Sequence, residues 1–280
     1  MTIARRISVL AAAASGVLMG AVFMGALPAV AAEVPLVPHR AVYDFTLGKS
    51  EGPKGPVSAK GRIVYEIRGD ACTGYAVNFR QETEVSPPEG EAHSADVRSA
   101  TFESADGKNF RFRIETRMNG QLDKTVEGSA ERSPGGLSIS LTKPAPEKID
   151  LGVSVTFPVQ QTLRSLEVAR KGGSVLELKT FDGSGDGKTV YHSLQIIGAP
   201  LAKPAGDLTA NVEAMKSMKR WRVVASNFDL KNTDAPALYS ITFDMWENGV
   251  SSNVSIDYGT FTLNGKMSKL EVFPVKPCKM

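Results

Sequence analysis

Residues 236–265 read PALYSITFDMWENGVSSNVSIDYGTFTLNG, and this stretch decides the fold. Tyr239, Ile241, Phe243 and Met245 alternate with Ser240, Thr242, Asp244 and Trp246, the period of two that sends successive side chains to opposite faces of a strand. Asn248-Gly249 is a dipeptide suited to the two positive φ values of a type I′ hairpin turn. Val250 to Tyr258 then returns antiparallel, with Val254, Ile256 and Tyr258 on one face. Gly259 breaks the run, Thr260 to Leu263 goes back out, and Asn264-Gly265 predicts one more turn. Such a meander exposes unpaired strand edges until it joins a larger sheet.

Working outward, the flanking sequence supplies that sheet. Lys266 to Phe273 reads as the last strand, and Met218 to Asn227, around Trp221, precedes the meander. Further strands are expected at 40–47, 57–67, 75–85, 96–104, 109–118, 121–130, 136–141, 175–181 and 189–197. The clearest is 109–118, where Phe110, Phe112, Ile114 and Met118 alternate with Arg111, Arg113, Glu115 and Arg117. It should have one dry face and one wet, cationic face. Asn119-Gly120 is a second type I′ candidate. Only Val159 to Lys171 breaks the pattern, placing Val159, Leu163 and Leu166 at helical spacing between Pro158 and Gly172-Gly173. The expected class is all-β with one main helix and about fourteen strands, folded as a barrel or strongly curved sheet that the helix plugs. No composition shift divides residues 32–280, which read as a single domain.

The first 31 residues read as a targeting segment. Arg5-Arg6 precede an apolar Ala- and Gly-rich stretch, and Ala29-Val30-Ala31 gives a small-x-small cleavage pattern near Ala31. A retained anchor is the rival, but Gly16, Gly20, Gly25 and Pro28 interrupt the stretch. Cleavage and export are therefore expected. The formal charge of +3 falls to about +1 without Arg5 and Arg6, so bulk charge gives no support to a nucleic-acid partner. Cys72 and Cys278 are the only cysteines, and in an oxidising compartment they are most simply a disulfide, against two separate buried thiols. The bridge would close a loop of roughly 200 residues, for which chain entropy gives about 5 kcal/mol.

Chemistry is sparse. Asp182 to Gly187 resembles the start of a calcium loop, but Ser193 stands where a bidentate acid is needed, and a Gly- and Asp-rich turn is the simpler reading. His39, His93 and His192 lack metal spacing; the first two are expected in loops and the third on a strand. No nucleophile elbow or carboxylate couple stands out, so no catalytic residue, metal or cofactor is assigned. The Arg111, Arg113, Arg117 stripe could meet phosphate or anionic lipid, or be a solvated strand face.

Several blocks together resemble the EipB family of alphaproteobacterial cell-envelope proteins: HRAVYDFTL at 39–47, GRIVYEIRGDACTGYAVNFRQ at 61–81, FPVQQTLRSLEVARKGG at 157–173, TFDGSGDG at 180–187 and ALYSITFDMWENGVSSNVSIDYGTF at 237–261, with Cys278 at the end. The resemblance implies a periplasmic protein folded as a spiral, incompletely closed antiparallel β-barrel of about fourteen strands, with the helix packed in or against it. It also implies a Cys72–Cys278 disulfide, a role in envelope integrity and a functional link to a periplasmic tetratricopeptide-repeat protein. The expected function is non-enzymatic: binding of a protein partner or a lipid-like ligand. Alternatives are an acyl-chain transporter resembling lipoprotein carriers and, third, an envelope hydrolase.

Overall fold

A computed structural model describes residues 36–53, 55–202, 208–232 and 234–275. The expected targeting segment, 1–31, and Cys278 lie outside the described residues. Fourteen strands form one sheet: β1 (His39–Ser50), β2 (Ser58–Asp70), β3 (Gly74–Ser86), β4 (His93–Glu103), β5 (Asn109–Met118), β6 (Gln121–Ser133), β7 (Gly136–Lys143), β8 (Glu147–Leu151), β9 (Val175–Thr180), β10 (Tyr191–Pro200), β11 (Arg220–Asp229), β12 (Tyr239–Trp246), β13 (Ser251–Asp257) and β14 (Phe261–Val272). Among the described residues there is one α-helix, α1 (Pro158–Arg170), which follows β8, and two short 3₁₀ turns, Leu208–Asn211 and Glu213–Met215, precede β11.

The strand order is β8-β7-β6-β5-β4-β3-β2-β1-β14-β13-β12-β11-β10-β9, so the chain runs from β1 to one end, crosses through α1, and returns from the other end to β1. Neighbouring strands pair antiparallel; β1, for instance, sets Ala41 against Tyr65 of β2 and against Leu270 of β14. The sheet does not close on itself. Its two end strands are tied instead through the chain leading into α1. Thr156 forms a parallel bridge to Thr180, with its N–H on the Lys179 carbonyl at 2.8 Å and its carbonyl on the Phe181 N–H at 3.1 Å.

The expected count of fourteen is met through two errors that cancel. Asn264-Gly265 is not a turn. Both residues lie inside β14, opposite Thr46 and Phe45, and the strand runs unbroken to Val272. The glycine serves close packing, because a Cβ at position 265 would stand 2.5 Å from the Phe45 ring. In exchange, β8 went unexpected: EKIDL is five residues long and shows only Ile149 and Leu151 as apolar positions. Asn119-Gly120 does form the type I′ turn, with φ of 51° and 78°. Asn248-Gly249 does not, since only Gly249 has positive φ, at 87°. Its N–H reaches the Trp246 carbonyl at 2.8 Å and the Trp246 N–H reaches the Val250 carbonyl at 2.9 Å, the pattern of a three-residue hairpin ending in a left-handed glycine.

Alternation decides what faces inward. Ala41, Tyr43 and Phe45 of β1, Phe110 and Phe112 of β5, and Trp221 and Val223 of β11 are buried. Helix α1 lies against the inner face, burying Val159, Leu166 and Ala169 among Ile67, Tyr75, Trp221 and Met245. Pro158 takes the first turn, where its missing N–H costs nothing, and Gly172, at φ 75°, ends the helix. At the far end, Phe110, Phe112, Phe157 and Phe181 form one aromatic cluster with Val126, Leu137, Ile139 and Leu141.

Candidate functional site

Between α1 and the walls formed by β1–β5 and β11–β13 the packing leaves a cavity of about 560 Å³, within the range that takes small ligands. Tyr65, Phe79, Ile114 and Phe243 point inward by strand alternation and line this space, yet they are only half-buried. What they leave uncovered faces the cavity. Deep side chains such as Tyr43 and Met245 complete a wall that is mostly apolar.

Polar side chains also enter this wall, among them Ser99 and Thr101 of β4, Gln161 and Ser165 of α1 and Asn227 of β11. Glu103, the last residue of β4, is 2% exposed and reaches the start of α1. Its carboxylate accepts the Val159 N–H at 2.8 Å and the Gln160 N–H at 3.0 Å. Phe157, at the N-cap position, has no side chain able to cap, so a carboxylate distant in sequence takes two of the helix's orphan donors. Burial pushes the Glu103 carboxyl up to about 7 despite those bonds and the nearby Arg132 charge. His39, which opens β1, is also buried. Its Nδ1–H donates to the Val37 carbonyl at 2.8 Å and its ring stands 5.6 Å from that of Tyr65. Desolvation lowers its pKa and favours the neutral ring.

Tyr65 of β2 and Tyr239 of β12 also line the cavity, and burial raises both phenols well above their ordinary value. On α1, Ser165 Oγ–H donates to Gln195 Oε1 at 2.6 Å and Gln161 Nε2 donates to Ser193 Oγ at 3.2 Å, fixing the helix to β10. At the loop before β10, Asp182 accepts the Ser184 N–H at 2.9 Å, and the Ser184 hydroxyl lies 3.0 Å from that of Tyr191.

The residues singled out in the sequence fare unevenly. The three histidines sit on β1, β4 and β10, which are not neighbours, so no shared site assembles from them. His39 and His93 open strands rather than lying in loops, because each strand begins earlier than its apolar alternation does. His192 Nε2 pairs with Glu177 across β9 and β10 at 2.7 Å. Among the described residues, no group of three or more His, Cys, Asp or Glu is placed to hold a metal ion. In the 182–187 loop, the Asp182 and Asp186 carboxylates accept their own loop's N–H groups, and the segment joins β9 to β10 as the simpler reading expects.

The Arg stripe of β5 is a paired outer face: Arg113 bonds Glu115 and Glu127, and Arg111 lies over the Phe102 ring at 4.9 Å. Cys72 lies in the turn between β2 and β3, and its expected partner Cys278 lies outside the described residues. A buried ion pair, Asp244 with Arg220, which the exposed Arg222 also joins, was not foreseen. It sits on the opposite face of β12 from the cavity-lining Phe243 and Met245, and ties β11 to β12. Sequence reasoning also missed Glu103. The one available hint was the set Ser99, Thr101, Glu103, polar residues occupying the inward register of β4.

A family model described as EipB-like matches residues 30–274. The chain is 37% identical over 267 residues to the cell envelope integrity protein EipB of Brucella abortus (strain 2308), a match spanning 94% of each chain. It also superposes on a crystal structure from Brucella abortus, described as a beta-barrel-like protein of a domain of unknown function. That match has a TM-score of 0.80 at 34% identity and covers 86% of this chain and 100% of the other.

Proposed function

Because this chain belongs to the EipB-like family, we propose that it supports integrity of the cell envelope by holding an acyl, lipid-like ligand in the cavity beside α1. The relative's name supplies the process. The ligand rests on one observation: the space beside the helix is open and mostly apolar instead of being filled by side chains. A scaffold acting only through its outer surface gains nothing from a hollow interior, because each void forfeits packing contacts. In this reading the protein is exported to the periplasm after cleavage near Ala31 and acts by binding, without catalysis. A periplasmic tetratricopeptide-repeat protein is its proposed protein partner.

The test is mass spectrometry under native conditions of protein purified without detergent, beside a Val97→Trp variant that fills the cavity from β4. Wild-type protein should carry a lipid adduct that the variant lacks. Absence of any extractable lipid, together with failure to bind added acyl amphiphiles, would sink the carrier reading. Recovery of a repeat protein alone in a parallel pull-down would then make the outer surface the working one.

A further inference from the structure

The cavity's charge is as informative as its shape. Among the described residues that line it there is no lysine and no arginine, while two carboxylates, Glu103 and Asp182, are present. The one basic side chain in the lining, His39, is kept neutral by burial. Arg132, whose charge reaches Glu103, does not line the space: it donates to the Gly107 carbonyl at 2.8 Å and lies 5.7 Å from the Phe157 ring centroid. An anionic head entering this wall would lose its hydration and meet the Asp182 carboxylate and, above about pH 7, that of Glu103 as well, with no cation in the lining to replace water.

Two other lining groups can serve a neutral head. Tyr65 and Tyr239 present phenol groups that stay protonated, and no hydrogen bond to another described residue engages either hydroxyl. Hydroxyls that open on the cavity without a protein partner can donate to the carbonyl, ester, ether or alcohol oxygen of a ligand, with no charge required on it.

Resting on the reading of this cavity as a ligand site, we infer that its ligand is an acyl amphiphile with an uncharged, oxygen-bearing head, and that the cavity discriminates against fatty-acid and phospholipid anions. Discrimination comes from unpaired like charge, which a site can use to reject a ligand whose chain fits equally well.

Displacement of a neutral environment-sensitive dye tests this, using monolaurin and laurate, which share one acyl chain, at about pH 8, where laurate is ionised. Monolaurin should displace the dye at a concentration at least about tenfold lower than laurate does. Asp182→Asn, which keeps the acceptor for the Ser184 N–H, and Glu103→Gln should each narrow the ratio by strengthening laurate more than monolaurin. Tyr65→Phe and Tyr239→Phe should weaken monolaurin severalfold. Equal displacement by the two amphiphiles, with no response to Asp182→Asn, overturns the charge inference while the cavity stands as a ligand site. Displacement by neither overturns the ligand reading itself.

Discussion

Around β5–β8 the inner face of the sheet is filled. Phe110, Phe112, Phe157 and Phe181 stand with centroids 5.0 to 6.3 Å apart, each at most 3% exposed. Two segments enter to complete that packing: the 152–157 connection, and the loop after β9, whose Gly183 lies against the Phe112 ring. Around β1–β4 and β11–β13 the same alternation points Tyr65, Phe79 and Phe243 inward, but the connecting segments, through residues such as Leu36, Asp182 and Asn248, line the space without filling it, and α1 covers only part of it. Strand periodicity therefore fixes direction, and inserted segments decide whether a lumen becomes core or cavity. If that contrast holds, the two regions should respond to truncation very differently.

The largest effect is expected in the filled region. Phe157→Ala removes a ring that is 0% exposed and stacks on Phe110 at 5.0 Å, and it should cost about 3–5 kcal/mol in denaturant unfolding. A loss below about 1 kcal/mol would mean that the aromatic cluster repacks freely and is no tighter than the cavity wall.

The Cys72–Cys278 bridge comes next, and it would bind the open half, since residue 72 lies in the β2–β3 turn on that wall. Cys72→Ala and Cys278→Ala should each destabilise by about 2–5 kcal/mol under non-reducing conditions, and the double variant should be no worse than either. Clearly unequal single effects would point to independent thiols.

Glu103 joins the two regions, because it caps the helix that divides them. Its folded pKa of about 7 lies above the ordinary 4.5, so the folded state holds its proton more tightly than the unfolded chain does. Stability from this group is therefore full below about pH 4.5 and is lost as pH rises through 7, by about 3 kcal/mol. His39 acts in the opposite sense, since its lowered pKa makes stability fall as pH drops below its ordinary 6.5. Asp96, held down to about 2 chiefly by Arg80, loses its contribution only as pH falls below its ordinary 3.8. Comparing Glu103→Gln with wild type across pH removes the latter two. The variant should gain relative stability between about pH 4.5 and 7 and hold that gain above about pH 8. A flat difference would mean that Glu103 is solvated and that the cap exerts no hold on the helix.

These positions also show how far the sequence could be read. Phe110 and Phe112 announced a dry strand face because alternation within β5 is a local property, and α1 was legible because Val159, Leu163 and Leu166 share a helical stripe. Asn264-Gly265 misled because a glycine needed for close approach to Phe45 has the same letter as one needed for a turn. Neither Glu103 nor the cavity was legible. The carboxylate meets Val159 and Gln160 more than fifty positions away, and emptiness depends on which loops enter, a property of tertiary arrangement.

A smaller effect, of the opposite steric kind, sharpens the boundary. Gly183→Ala would place a Cβ 2.5 Å from the Phe112 ring at a φ of 75°, where L residues are strained, so about 2 kcal/mol should be lost. Calorimetry showing no loss would mean that the loop lifts easily from the filled region, and that the two halves differ less than their packing implies.

The smallest stability effect should come from the cavity wall, and it decides the comparison. Phe79 is as large as Phe157, and by strand parity it points just as surely inward, but one of its surfaces faces empty space. Truncation there removes fewer contacts and creates no new enclosed void, because a void is already present, so Phe79→Ala should cost about 1 kcal/mol or less. The same change enlarges the cavity and should weaken binding of an acyl ligand, separating a stability phenotype at one end from a binding phenotype at the other. Equal unfolding losses for Phe79→Ala and Phe157→Ala would show that the wall is packed as tightly as the aromatic cluster, and the proposed ligand would then have no room.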